Sequence, residues 1–185
     1  MTGEQLQEEL ENVRLRLLEA LAALPDQAFI QPGVVNHYSL RDWLFLLSAW
    51  EAELVTGLMR VQQGRKPERL LTARGDRQGY EAQRLRENPD RDLDRIFDDL
   101  QGVRIELEGW LEQFPDKQLT DRKRYGWLSG RSLAQLIAEI SFQYEAEALP
   151  AVESFAAEWP LGAQNGAGQA ILINDIEVQN DFDGP

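Results

Sequence analysis

The fold turns on Ser39-Leu-Arg-Asp-Trp-Leu-Phe-Leu-Leu-Ser-Ala-Trp-Glu-Ala-Glu-Leu-Val-Thr-Gly-Leu-Met-Arg-Val-Gln-Gln-Gly64. Leu40, Leu44, Leu47, Leu54, Leu58 and Val61 recur at helical intervals, and Trp43, Leu46 and Trp50 widen the stripe. Ser39 can accept from a backbone N–H of the first turn, and Gly64 with Pro67 beyond it supplies the stop. The spacing predicts one long helix, apolar on one broad face.

Three further segments repeat this pattern. Thr2 and Gln5 have capping-box spacing, and Leu6, Leu10, Val13, Leu17, Leu21 and Leu24 follow on one face until Pro25 breaks it. A third helix is expected from about 92 to 114, with Leu93, Ile96, Phe97, Leu100, Val103, Leu107, Leu111 and Phe114 inward. A fourth is expected from Ser132, paired with Gln135, to about Glu158, with a kink near Ala146 imposed by Pro150. Its inward face reads Leu133, Leu136, Ile137, Ile140, Tyr144, Ala148, Ala151 and Phe155. A short helical piece is expected around Tyr80 to Glu87.

Four amphipathic helices without strands predict an all-α fold, an antiparallel four-helix bundle spanning residues 1–160. Its inner connections, 25–38 and 65–91, are long and are expected to cover an end or an opening. Residues 161–185 read as a Gly/Asn-rich linker and an acidic tail carrying Ala170-Ile171-Leu172-Ile173. That tail is either an unstructured end with a sticky patch or an arm that docks on a protomer.

Composition narrows the function classes. With 185 residues, 43% hydrophobic and 28% charged, the chain can bury a full core. No run approaches the roughly 20 apolar residues of a membrane span, and the acidic N-terminus lacks the order of a signal peptide, so no membrane insertion and a cytoplasmic location are expected. Cysteine is absent and His37 is the one histidine, which excludes thiolate chemistry and multi-histidine metal sites. His37 reads as a loop residue. A net charge of −13 opposes nucleic acid. The basic runs between Arg60 and Arg77 and at Arg122-Lys123-Arg124 read as solvated faces.

Tyr38 to Glu51, followed by Gly64-Arg-Lys-Pro67, resembles the second helix of DinB-like proteins. Tyr125-Gly-Trp-Leu-Ser-Gly-Arg-Ser-Leu-Ala-Gln-Leu-Ile-Ala-Glu139 resembles the ClbS/DfsB branch of that superfamily. Asp42, Trp50, Glu51, Trp127 and Gly130 carry most of the likeness, which covers roughly residues 5–158. The resemblance implies a homodimer through a bundle face, in keeping with the broad apolar coverage of the second helix, which includes Trp43 and Met59. It also implies three metal-ligating histidines, at positions held here by Leu46, Tyr144 and Ala148. Leucine and alanine cannot ligate and a neutral tyrosine ligates poorly, so neither a metal nor any other cofactor is expected.

Advancing about 100° per residue puts three charges inside apolar stripes: Glu51, Arg104 and Glu147. Two readings follow. One is a polar pocket of Glu51, Arg104, Tyr144 and Glu147, with Trp50 beside it, that takes a small molecule. The other is an interior ion pair that fixes helix register. The sequence thus points to a metal-free, degenerate member of this family that binds a small molecule or a protein partner. The alternative is a metal-independent hydrolase or transferase acting on a small electrophile through the carboxylate–arginine pocket.

Overall fold

A computed structural model describes residues 1–89 and 92–167, with side chains as far as Trp159. The described residues form an all-α protein of nine helices and one 3-10 turn. The helices are α1 (Gly3–Leu21), α2 (Asp26–Phe29), α3 (Leu40–Gln62), α4 (Glu68–Gly75), α5 (Arg77–Glu87), α6 (Leu93–Leu111), α7 (Asp116–Thr120), α8 (Leu133–Ile140) and α9 (Phe142–Ala167). The Gly/Asn-rich linker begins inside the last turns of α9, and everything from residue 168 on lies outside the described residues.

The helix starts follow from their caps. Thr2 and Gln5 form the full capping box of α1, and Ser132 and Gln135 form that of α8. Ser39 Oγ accepts from the Asp42 N–H at 3.1 Å to open α3. Gly64, at φ 72°, takes the left-handed conformation that ends it. The stripes become the core. Leu6, Leu10, Leu17, Leu40, Leu44, Leu47, Leu54, Leu107, Leu133 and Ile137 are fully shielded from solvent. Each such side chain contributes about 1.5–3 kcal/mol relative to exposure.

Helices α3 and α6 pack together most extensively, followed by α1 and α9. The contacts also fix their directions. At one end Phe29, before α3, meets Phe97 near the start of α6 at 5.8 Å between ring centroids. At the other end Val61 and Gln62 of α3 share a groove with Gln118, which follows α6. Helices α3 and α6 therefore run parallel. Gly3 N–H donates to Asp116 Oδ1 at 2.8 Å, whereas Arg14 reaches the Leu100 carbonyl, so α1 runs opposite to α6. Arg14 and Arg16 of α1 pair with Glu145 and Glu153 of α9, as parallel helices would. The simple alternation expected of an antiparallel bundle is thus corrected: the two closest pairs are parallel, and the pairs oppose each other. Parallel neighbours need a crossover, which is why 63–92 is long; α4 and α5 fill it and cover α3.

The fourth helix also departs from expectation. Its break falls at Ser141 (φ −110°, ψ −107°), not near Ala146, and Pro150 lies within α9. Ser141 Oγ donates to the Ile137 carbonyl at 2.6 Å, holding the break from within. Beyond it the buried face centres on Glu145, Leu149 and Val152, while Ala151 and Glu147 are exposed. No described helix is long and apolar enough to cross a membrane.

Candidate functional site

The expected single pocket is two constellations. The first lies in the core, where α1, α3, α6 and α9 each contribute one charge: Arg14, Glu51, Arg104 and Glu145. Arg14 donates to Glu145 at 2.7 Å and 3.2 Å and to Glu51 at 3.3 Å and 3.4 Å. Arg104 donates to Glu51 through Nε at 3.1 Å and through a second, shorter bond, and to Glu145 at 2.8 Å. Each guanidinium also donates to a backbone carbonyl, Arg104 to Leu10 at 2.6 Å and Arg14 to Leu100 at 3.3 Å. Two cations meet two anions, with both carboxylates fully buried. Burial pulls the Arg104 pKa down, but Glu51 and Glu145 outweigh it and hold the guanidinium above its ordinary value. Glu145 occupies the role expected of Glu147, because the inward face of α9 runs through 145 and 149. Both carboxylates are fully buried and fully committed to the two arginines, so the quartet offers no acceptor to a substrate.

The second constellation is open. Glu81 on α5 is buried, yet its carboxylate accepts from the Tyr38 hydroxyl at 2.9 Å, the Trp50 indole N–H at 3.0 Å and the Tyr144 hydroxyl at 3.3 Å. Arg77, one turn earlier, pairs with Glu81 at 3.4 Å. Its guanidinium lies 4.4 Å above the Tyr144 ring and 5.7 Å from Trp50. Arg77 and Glu81 border a pocket of about 180 Å³ walled by Val35, Tyr38, Trp43, Tyr144 and Ala148, with Glu147 at its rim. The rim on one side is a tight turn, in which Val34 and Val35 N–H donate to the Tyr38 carbonyl and Asn36 adopts φ 58°. His37, in that turn, packs at a tilt of 44° against Tyr38 with ring centroids 3.9 Å apart.

Burial first, and the hydrogen bond to Glu81 second, push the Tyr38 hydroxyl up to about 12. Burial and the Glu81 charge raise Tyr144 as well. Both phenols are therefore neutral donors at physiological pH, fixed on a carboxylate. That arrangement does not fit a metal. Ala148 and Leu46 offer no donor atom, the Tyr144 hydroxyl is committed to Glu81, and Arg77 brings a positive charge onto the same ring. Leu46 is fully buried in the core and is not part of the pocket wall. Among the described residues no three His, Cys, Asp or Glu side chains come together.

Of the residues singled out by sequence, Glu51 and Arg104 meet in the core, Tyr144 and Glu147 line the open pocket, and Trp50 lies buried behind it with its indole N–H on Glu81. Trp43 is 1% exposed and lines that pocket, so it supplies no surface for a homodimer, whereas Met59 is exposed. Arg14 and Glu145 complete the quartet, and Arg77 and Glu81 organise the pocket; none of these four stood out beforehand. Comparison with protein-family models, curated proteins and solved structures returned no match.

Proposed function

We propose that this chain is a metal-free, DinB-like four-helix protein of the ClbS/DfsB type that binds a small molecule in the Glu81–Arg77 pocket. The observation that carries this reading is a buried carboxylate gripped by three aromatic donors at the base of an open cavity. Such a group costs free energy to bury, and a merely structural carboxylate is better placed in a closed network like that of Glu51. Tyr144 and Ala148, two positions where the family's metal ligands would stand, both line this cavity, which supports the family reading and replaces the metal with an organic ligand. The four long helices, the parallel pairs and the long central crossover are compatible with that architecture.

The pocket constrains its ligand. About 180 Å³ is below the roughly 300–1,000 Å³ of pockets for drug-sized ligands, so the ligand is small. Trp43, Val35 and Ala148 offer apolar walls, while Arg77 and Glu147 offer one cation and one anion at the mouth. The hydrolase or transferase alternative loses Glu51 and Arg104 as its working pair, since both are sealed in the core. A ligand-observed NMR screen of small fragments tests the binding reading, with Ala148→Phe filling the cavity as control. Fragments that bind wild type and not the filled variant are the expected result. No binder to the wild type, together with a filled variant at least as stable, would reject the pocket as a ligand site.

A further inference from the structure

A second groove lies at the opposite end of the bundle, where α3 ends and the 3-10 turn Gly126–Leu128 precedes α8. It encloses about 540 Å³, and Arg65, Arg124, Tyr125, Trp127, Gln62 and Gln118 supply its side-chain chemistry. The chain holds 32 acidic residues against 19 basic ones, yet no carboxylate lines this groove. Arg65 and Arg124 make no ion pair among the described residues, in contrast to Arg14, Arg16, Arg69, Arg74, Arg77, Arg84, Arg104 and Arg131. Arg124 rests 5.7 Å from the Tyr125 ring, and that ring sits 5.3 Å from Trp127. The two basic runs of the sequence, which read separately as solvated faces, are brought together here beside two half-buried aromatic rings.

We propose that this groove binds a phosphorylated aromatic ligand of the mononucleotide class. Two unpaired guanidiniums supply forked donors for a phosphate dianion, and Tyr125 and Trp127, tilted 44° to each other, offer a ring face on which one planar ring can stack. The C-terminal carbonyls of α3 would repel an anion, but Gly64 and Arg65 N–H groups close on the Val61 and Arg60 carbonyls at 3.0 Å and 2.9 Å. The net charge of −13 keeps long polyanions away, so the fit is to a small anion rather than to nucleic acid.

Titration with adenosine monophosphate at low ionic strength, followed by tryptophan fluorescence and by ligand NMR, tests the proposal. The expected result is saturable binding at least about tenfold tighter than that of adenosine or of inorganic phosphate alone, since each lacks one recognition element. The fluorescence change should vanish in Trp127→Phe. Affinity should fall at least about tenfold in the double variant Arg65→Glu, Arg124→Glu, while its melting temperature stays close to wild type because both side chains are exposed. Ala148→Phe, which fills the other pocket, should leave this binding unchanged. No saturable binding up to about 10 mM, weaker than the scale of non-specific contacts, or an affinity that survives the double charge reversal, would overturn the assignment.

Discussion

Both polar constellations are built from arginine, glutamate and the helical scaffold, but they answer opposite requirements. In the core, Arg14, Glu51, Arg104 and Glu145 neutralise one another, and each arginine also donates to a backbone carbonyl, Leu100 or Leu10. Both carboxylates are fully buried, with every oxygen held by an arginine. At Glu81 the partners are phenols and an indole, the single arginine is 43% exposed at its side chain, and the cavity beside it stays open. A saturated network makes a good strut and a poor site. One that keeps a half-exposed arginine beside an open cavity can take a ligand and is a weaker strut. This contrast yields measurable differences in stability.

The largest effect belongs to the core. Arg104→Leu leaves Glu51 and Glu145 facing Arg14 alone, an uncompensated buried charge that should cost about 3–5 kcal/mol in chemical denaturation near neutral pH. The pairing itself need not be stabilising against an apolar alternative. Replacing all four residues together by hydrophobic residues of similar volume should be neutral or stabilising by about 1–4 kcal/mol. A single Arg104→Leu change costing under about 1 kcal/mol, the range of an exposed pair, would mean the quartet is not a closed network.

The pocket should respond more mildly. Glu81→Gln keeps the shape but has one acceptor oxygen where the carboxylate has two, and it loses the charge that Tyr38, Trp50, Tyr144 and Arg77 share. A loss of about 1–3 kcal/mol is expected, with the Trp50 emission shifted and fragment binding abolished. A loss as large as that of Arg104→Leu would place Glu81 among the structural struts and remove the distinction between the two regions.

Only part of this contrast was readable in the sequence, and the gaps have physical causes. Glu51 and Arg104 stood out because each interrupts a leucine stripe, a signal that helical periodicity makes visible. Arg14 sends the same signal between Leu10 and Leu17, and it could have been found by the same count. Glu145 could not, because the stripe that included Ala151 pointed to Glu147, whereas the break at Ser141 leaves α9 packed on α1 with Glu145, Leu149 and Val152 inward. Glu81 gave still less. It sits on a short polar helix inside the crossover, with only Arg77 one turn before it as a hint. Its partners come from three distant segments, and only the tertiary fold brings Tyr38, Trp50 and Tyr144 to one carboxylate. The caps at Thr2, Ser39 and Ser132 were legible because capping is local. The parallel pairing of α3 and α6 was not, since helix direction depends on where a long crossover lands.

The smallest effect separates the causes acting on the pocket's phenols. Tyr38 is raised to about 12 by burial first and by Glu81 second, and Tyr80, whose hydroxyl donates to the Ala49 carbonyl at 3.1 Å, is raised to about 12 chiefly by burial. In each case the folded value lies above the ordinary 10.0, so the folded protein holds its phenolic protons more tightly than the unfolded chain. The stability this represents is intact below about pH 10 and is lost as pH rises through 12. Rapid-mixing absorbance titration should therefore find Tyr38, Tyr80 and Tyr144 still protonated at about pH 11 in the folded state. In Glu81→Gln the Tyr38 midpoint should move down, because a hydrogen-bonded anion is gone, yet remain above 10.0 because burial is the larger cause. Tyr80 donates to a backbone carbonyl and has Glu53 ahead of Glu81 among the charges that raise it, so it should scarcely move. Equal shifts of the two tyrosines would mean that the substitution loosens the whole crossover, and that Glu81 supports α5 generally rather than organising one pocket.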